Sequence, residues 1–163
     1  MKKFFALAVL LLTACLMFFG CAHSPEEIPS TDNGGENQTQ TQETTTMYIT
    51  INGNKLEVTL EKNSATDALV DRLKKSDITY TANDYGDFEK VGALGFSLPT
   101  SNAQITTQAG DIVLYSGNRI VIFYGSNSWS YTKLGRINGY SAAELRTLLG
   151  AGSGSTHVVI GLK

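Results

Sequence analysis

Between Gly110 and Ile137 the chain reads GDIVLYSGNRIVIFYGSNSWSYTKLGRI, and this stretch limits the folds open to it. Two apolar segments, Ile112–Tyr115 and Ile120–Tyr124, flank Ser116-Gly117-Asn118. Short β-branched and aromatic runs joined by three residues that include a glycine predict a β-hairpin. Both segments are apolar on both faces, so both faces must be covered. Alternation puts Tyr115 opposite Ile112 and Leu114, and Phe123 opposite Ile120 and Ile122. One set fills a barrel or sandwich interior. The other meets a helix, a loop or a ligand.

The N-terminus is of a different kind. Met1-Lys2-Lys3 is a short positive region, Phe4–Phe19 is apolar apart from Thr13, and small Gly20 precedes Cys21. The apolar run is shorter than the roughly 20 residues that span a bilayer comfortably, so residues 1–20 are expected to be a secretion signal. A cysteine directly after a small residue at the end of such a segment resembles a bacterial lipoprotein signal, in which the cysteine takes the lipid. Leu12-Thr13-Ala14-Cys15 fits the usual pattern before that cysteine. Cleavage before Cys21, however, leaves a polar tail at once, whereas cleavage before Cys15 leaves Leu16–Phe19 on the mature end. Cys21 is therefore the expected lipid site and Cys15 the alternative.

Residues 21–46 form the expected tether. They are rich in Thr, Gln, Asn and Glu, and a segment of this kind buries too little surface to offset the entropy of ordering it. About 25 flexible residues reach roughly 25–30 Å. Five acidic residues sit here: Glu26, Glu27, Asp32, Glu36 and Glu43. The overall net charge of −2 thus belongs to the tether, and residues 47–163 are almost neutral. No basic stripe suggests nucleic acid. Both cysteines lie before residue 22, which denies the domain disulfides and thiolate chemistry.

Residues 47–163 are long enough for one core. Tyr48–Ile51 and Lys55–Glu61 alternate around Asn52-Gly53-Asn54, predicting an antiparallel hairpin with Leu56, Val58 and Leu60 inward. Ser64 is expected to cap a helix with an Ala65, Ala68, Leu69, Leu73 stripe, Asp67 sitting three residues on. Ile78–Thr81 and Phe88–Val91 read as short strands, and Gly92–Gln108 as a long ordered loop. Trp129, alone among serines and an asparagine, is a lid over the core or a contact residue. Tyr131–Ile137 is a further strand. Ser141-Ala142-Ala143-Glu144 is a capping box for a second helix stopped at Gly150, and Thr156–Leu162 is the last strand. About eight strands and two short helices predict a mainly β, closed or nearly closed antiparallel barrel.

Familiar catalytic patterns are not found. His157 is the domain's single histidine, too few for a zinc site; a Ser-His-Asp triad would have to use it, and no G-x-S-x-G elbow occurs. Gly150–Ser155 resembles a phosphate loop but lacks the lysine and follows a helix, so it is a connector. Asp84, Asp87 and Glu89 lack the spacing of a calcium loop. No metal or cofactor is expected.

One resemblance spans residues 47–163. Its parts are Gly110-Asp111, Gly117, Ile122-Phe123-Tyr124-Gly125 and Leu134-Gly135-Arg136-Ile137, together with the first hairpin and helix, Tyr85-Gly86 and Ser97-Leu98-Pro99. Together they resemble the small bacterial cyclophilin-like domains. The resemblance implies an eight-stranded barrel with helices near its open ends. It does not supply an active site: cyclophilin prolyl isomerases carry a strand arginine and an F-M-x-Q-G-G signature that this domain lacks. The expected ligand-binding residues are Phe96, Tyr115, Phe123, Trp129 and Tyr131, with Arg119. The expectation is a lipid-anchored protein on the outer side of the bacterial cytoplasmic membrane that binds a peptide or other ligand. The alternative is a prolyl isomerase using Arg119 or Arg136. A solvent-open aromatic groove beside either arginine would favour the enzyme, and a flat surface would favour a scaffold.

Overall fold

The structure, a computed structural model, describes residues 45–163. The signal, Cys15, Cys21 and residues 21–44 of the tether lie outside the described residues. Nine strands and two helices follow in order: β1 Met47–Ile51, β2 Asn54–Leu60, α1 Ser64–Leu73, β3 Ile78–Tyr85, β4 Glu89–Ala93, β5 Ala103–Thr106, β6 Asp111–Tyr115, β7 Arg119–Phe123, β8 Ser128–Ile137, α2 Ala142–Leu148 and β9 Thr156–Leu162. Every pairing is antiparallel.

Eight strands close on themselves in the order β2-β1-β9-β3-β4-β7-β6-β8. Val58–Leu60 pairing with Gly135–Ile137 joins the two ends. The expected eight-stranded barrel is thus present. One element was not expected: β5, inside the stretch read as a loop, adds outside the ring along the first half of β8, Ala103–Thr106 facing Ser128–Tyr131. β5 buries no side chain fully, so it carries no hydrophobic alternation. Its definition comes from its partner.

The central hairpin turns as expected, with Ser116 at φ 50° and Gly117 at φ 74°. Ile112, Leu114, Ile120 and Ile122 join residues of β1, β2, β3, β8 and β9 in one core. A face shared around a closed ring is the inward one. Ala65, Leu69 and Leu73 of α1 and Leu145 and Leu149 at the end of α2 join the same core. The helix caps divide. Ser141 and Glu144 form the expected capping box. At α1 the cap is Asn63 rather than Ser64: its Oδ1 accepts from the N–H groups of Ala65 and Thr66, at 3.0 and 3.1 Å. Asn63 also donates through Nδ2 to the Lys133 carbonyl at 2.8 Å, so one side chain starts the helix and ties it to β8.

β3 runs further than its apolar pattern, through Asn83 and Asp84, because an inward polar pair replaces apolar residues there. Asp84 and Lys90 are ladder partners. Lys90 is 0% exposed, and its Nζ lies 2.9 Å from Asp84 Oδ2 and donates to the Gly154 carbonyl at 2.9 Å. Asp84 also accepts from Tyr124 Oη at 3.0 Å and from the Gly154 N–H at 2.9 Å. Burial opposes the charge on Asp84. The hydrogen bonds from Lys90, Tyr124 and Gly154 outweigh it and hold the carboxyl below its usual range.

Tyr80 also points inward, 6% exposed, over Gly92, where a Cβ would overlap the Tyr80 ring. Among the described residues the Tyr80 hydroxyl finds no hydrogen-bond partner. A buried hydroxyl without a partner carries a desolvation cost that phenylalanine avoids. Tyr80→Phe is therefore expected to stabilise the fold by about 1 kcal/mol, read as a rise in denaturant midpoint at unchanged slope. A fall in the midpoint would show that the hydroxyl is satisfied.

Candidate functional site

The second face of the central hairpin is the outer wall of the barrel. Val113, Val121, Phe123 and Tyr131 form a separate small core, with Phe88, Val91 and Ile105 packed on it. The aromatic rings link in sequence across this wall. Tyr85 meets Phe88 edge-on at 6.4 Å and Phe88 stacks on Phe123 at 6.3 Å. Phe123 meets Tyr131 at 5.7 Å, and Tyr131 meets Tyr115 at 6.0 Å, both edge-on. Offset and edge contacts at such distances add to the area the rings bury.

Above this layer lies a solvent-open groove of about 520 Å³. Val91 and Val121, ladder partners, lie between the charged groups at its ends. Tyr85, Tyr115, Trp129 and Tyr131 also line it. Asn127 holds one side in place. It exchanges backbone and side-chain hydrogen bonds with Thr107 at 2.8 and 3.0 Å and donates through Nδ2 to Tyr131 Oη at 3.0 Å.

Of the six expected binding residues, the structure brings Tyr115, Arg119, Trp129 and Tyr131 to the groove. Phe123 is fully buried beneath it, a support for Tyr131 and Phe88 rather than a lining residue. Phe96 is elsewhere: it lies by α1, with the Arg72 guanidinium 3.9 Å over its ring. Trp129 is 55% exposed on β8 and so is not a lid over the core. Arg119 is exposed and has no ion pair among the described residues. Arg136 differs. It donates to Asp111 Oδ1 at 2.7 Å and to the Ala109 carbonyl at 3.0 Å, a structural pair away from the groove. His157 is exposed on β9 opposite Thr81.

The groove also holds a residue not singled out in sequence as a binding group. Glu89 lines it, is 5% exposed, and among the described residues has no hydrogen bond to Oε2. Burial pushes its carboxyl up to about 7. The sequence groups it with Asp84 and Asp87. The fold gives the three different surroundings: Asp84 borders the same groove but is paired with Lys90, and Asp87 pairs with Arg146 at 2.8 Å. Alternation from the turn at Gly86–Phe88 was the available signal, since it puts Glu89 on the face of Val91. No group of three or more His, Cys, Asp or Glu side chains that could hold a metal occurs among the described residues.

A sequence profile of the Cyclophilin-like family matches residues 49–161. The chain belongs to the cyclophilin-like family. Among solved structures it is similar to the hypothetical protein AF2241 from Archaeoglobus fulgidus, with a TM-score of 0.54 and 19% identity over 71% of this chain and 92% of that one. It is also similar to McbB, solved in complex with tryptophan, with a TM-score of 0.50 and 11% identity. There the match covers 71% of this chain but 44% of McbB. At these identities the likeness is one of fold. No curated protein sequence matches the chain.

Burial of Glu89 is expected to make the stability of the cyclophilin-like domain depend on pH. Its folded carboxyl titrates near 7 and its unfolded one near 4.5, so the native state binds the proton more tightly. The stability this gives is full below about 4.5 and lost as pH rises to 7. Glu89→Gln is expected to match the parent protein in the acid range and to exceed it above pH 7, by at most on the order of 3 kcal/mol. Thermal melts at pH 4 and pH 8 test this; equal differences at both would remove Glu89 as the titrating group.

Proposed function

We propose that the chain is a membrane-tethered bacterial lipoprotein whose cyclophilin-like domain binds extended peptide segments in its outer groove. The observation that carries this reading is the groove itself: an apolar middle, four aromatic side chains along it and, at one end, an arginine with no ion pair among the described residues. Aromatic rings supply contact area at little entropic cost, and an arginine supplies donors for peptide carbonyls. The tether and lipid follow from the N-terminal sequence. Lipid on Cys21, or on Cys15 instead, would hold the domain on the outer side of the cytoplasmic membrane. Labelled palmitate fed to a bacterial host expressing the chain is expected to enter it, and Cys21→Ala to abolish the label while Cys15→Ala keeps it. The reverse pattern would make Cys15 the anchor.

A prolyl isomerase is the second reading, and the placement of Arg119 favours it. Twisting an X-Pro bond meets a barrier of about 20 kcal/mol without a catalyst and needs no nucleophile. The twisted amide loses its resonance, and its nitrogen becomes an acceptor. An apolar floor for the proline ring and a donor beside that nitrogen lower the barrier, and Val91, Val121 and Arg119 are groups of those kinds. The missing F-M-x-Q-G-G signature weighs against it. In a protease-coupled isomerisation assay on the full chain, this reading expects acceleration that Arg119→Ala loses and a folded Arg136→Ala keeps. No acceleration across several X-Pro peptides ends it and leaves the binding module.

A further inference from the structure

We infer that the groove selects peptide segments bearing a lysine-type ammonium group, which seats on Glu89 between the aromatic walls. The inference rests on the reading of the groove as a peptide site and gives its ligand a chemical class.

Three observations carry it. First, Glu89 lines the groove, is 5% exposed, and its Oε2 lacks a partner among the described residues. A buried carboxylate without a partner is costly, and a cation that a ligand brings beside it offsets part of that cost. Second, the groove's walls are aromatic: Tyr85, Tyr115, Trp129 and Tyr131. Ring faces attract cations, and a carboxylate among rings favours an ammonium over a neutral group. Third, the groove has no internal cation placed on Glu89. The ladder pairs Glu89 with Phe123 and Ala93 with Arg119, so the two charged residues stand four positions apart, roughly 13 Å along the strands. Lys90, the next residue, faces the opposite side and is committed to Asp84. An extended peptide of about four residues spans the same distance, with its ammonium at the Glu89 end and backbone carbonyls toward Arg119.

The preference should follow pH. The ionisable groups that line the groove with Glu89 are Asp84 and Tyr85 from β3, Tyr115 from β6, Arg119 from β7 and Tyr131 from β8. Asp84 is held below its usual range and Tyr131 is raised, by burial first and by the Glu89 charge second, so neither changes charge near neutrality. Glu89, pushed up to about 7 by burial, changes charge near neutrality.

Trp129 is the only tryptophan of the chain and lines the groove, so its fluorescence reports occupancy. The probes are acetyl-Ala-Ala-Lys-Ala-Ala-amide and the same peptide with norleucine for lysine, titrated into the full chain at pH 8 and pH 5.5. The lysine peptide is expected to bind about tenfold tighter than the norleucine peptide at pH 8, and to lose that advantage at pH 5.5. Glu89→Gln, checked for folding by its melt, is expected to lose it at both. Equal affinity of the two peptides at pH 8, or an advantage that survives Glu89→Gln, would overturn the inference while leaving the groove a peptide site. No response to either peptide would overturn both readings.

Discussion

A strand sends successive side chains to opposite faces, and β4 does this with two opposite charges. Lys90 goes inward and Glu89 outward, and the barrel treats them differently. A cation in a barrel interior costs several kcal/mol unless charge and hydrogen bonds meet it. Lys90 is met by Asp84 across the ladder and by the Gly154 carbonyl from the loop before β9. The Gly154 N–H returns to Asp84, and Tyr124, just past β7, closes the set from the other side. Arg146 of α2 lies over the Tyr124 ring at 5.0 Å and pairs with Asp87 in the β3–β4 turn. One buried ammonium thus gathers the β3–β4 hairpin, the end of β7 and the α2–β9 connection at one end of the barrel. The connector Gly150–Ser155, glycine-rich and without apolar residues except Ala151, is positioned by this network. Glu89 on the other face receives no such set.

Much of the barrel was legible because it is built from local rules. Alternation in Lys55–Glu61, the Asn52-Gly53 turn and the Ser141–Glu144 box each state their structure within a few residues. What was not legible depends on a partner distant in sequence. β5 has no inward face to announce it and exists because β8 outruns its barrel partners and offers a free ladder edge. Asn63 and Ser64 are both good caps, and the choice fell to Asn63, which has a second bond to make with Lys133. The polar end of β3 reads as a turn until Lys90 is known to face it.

The candidate site divides the same way. Aromatic side chains clustered near one hairpin mark a surface, and Tyr115, Trp129 and Tyr131 do lie together. Sequence could not separate lining from support: Phe123 is as aromatic as its neighbours, but strand alternation and β5 put it underneath. Phe96 lay close in chain yet packs beneath a guanidinium on α1. Two strand arginines were equivalent by residue type. Asp111, buried and opposite Arg136 in the ladder, takes that one into the structure, while Tyr115 and Ala93 opposite Arg119 offer no counter-charge.

Membership of the cyclophilin-like family therefore accounts for the ring of eight strands and leaves the chemistry to the wall. At 19% identity a neighbouring structure shares the path of the backbone, and the groups that could do work are set by a few outward side chains. Here those groups are Arg119, without an ion pair among the described residues, and the Glu89 carboxyl, held apart by an apolar ladder pair. Burying that carboxyl unpaired lowers the stability of the free protein at neutral pH, by the same linkage that raises its proton affinity. A glutamine would sit there at less cost. A ligand that brought a positive charge would offset that cost, so the stability lost to Glu89 and the ligand preference proposed for the groove would share one origin in the outward turn of Glu89.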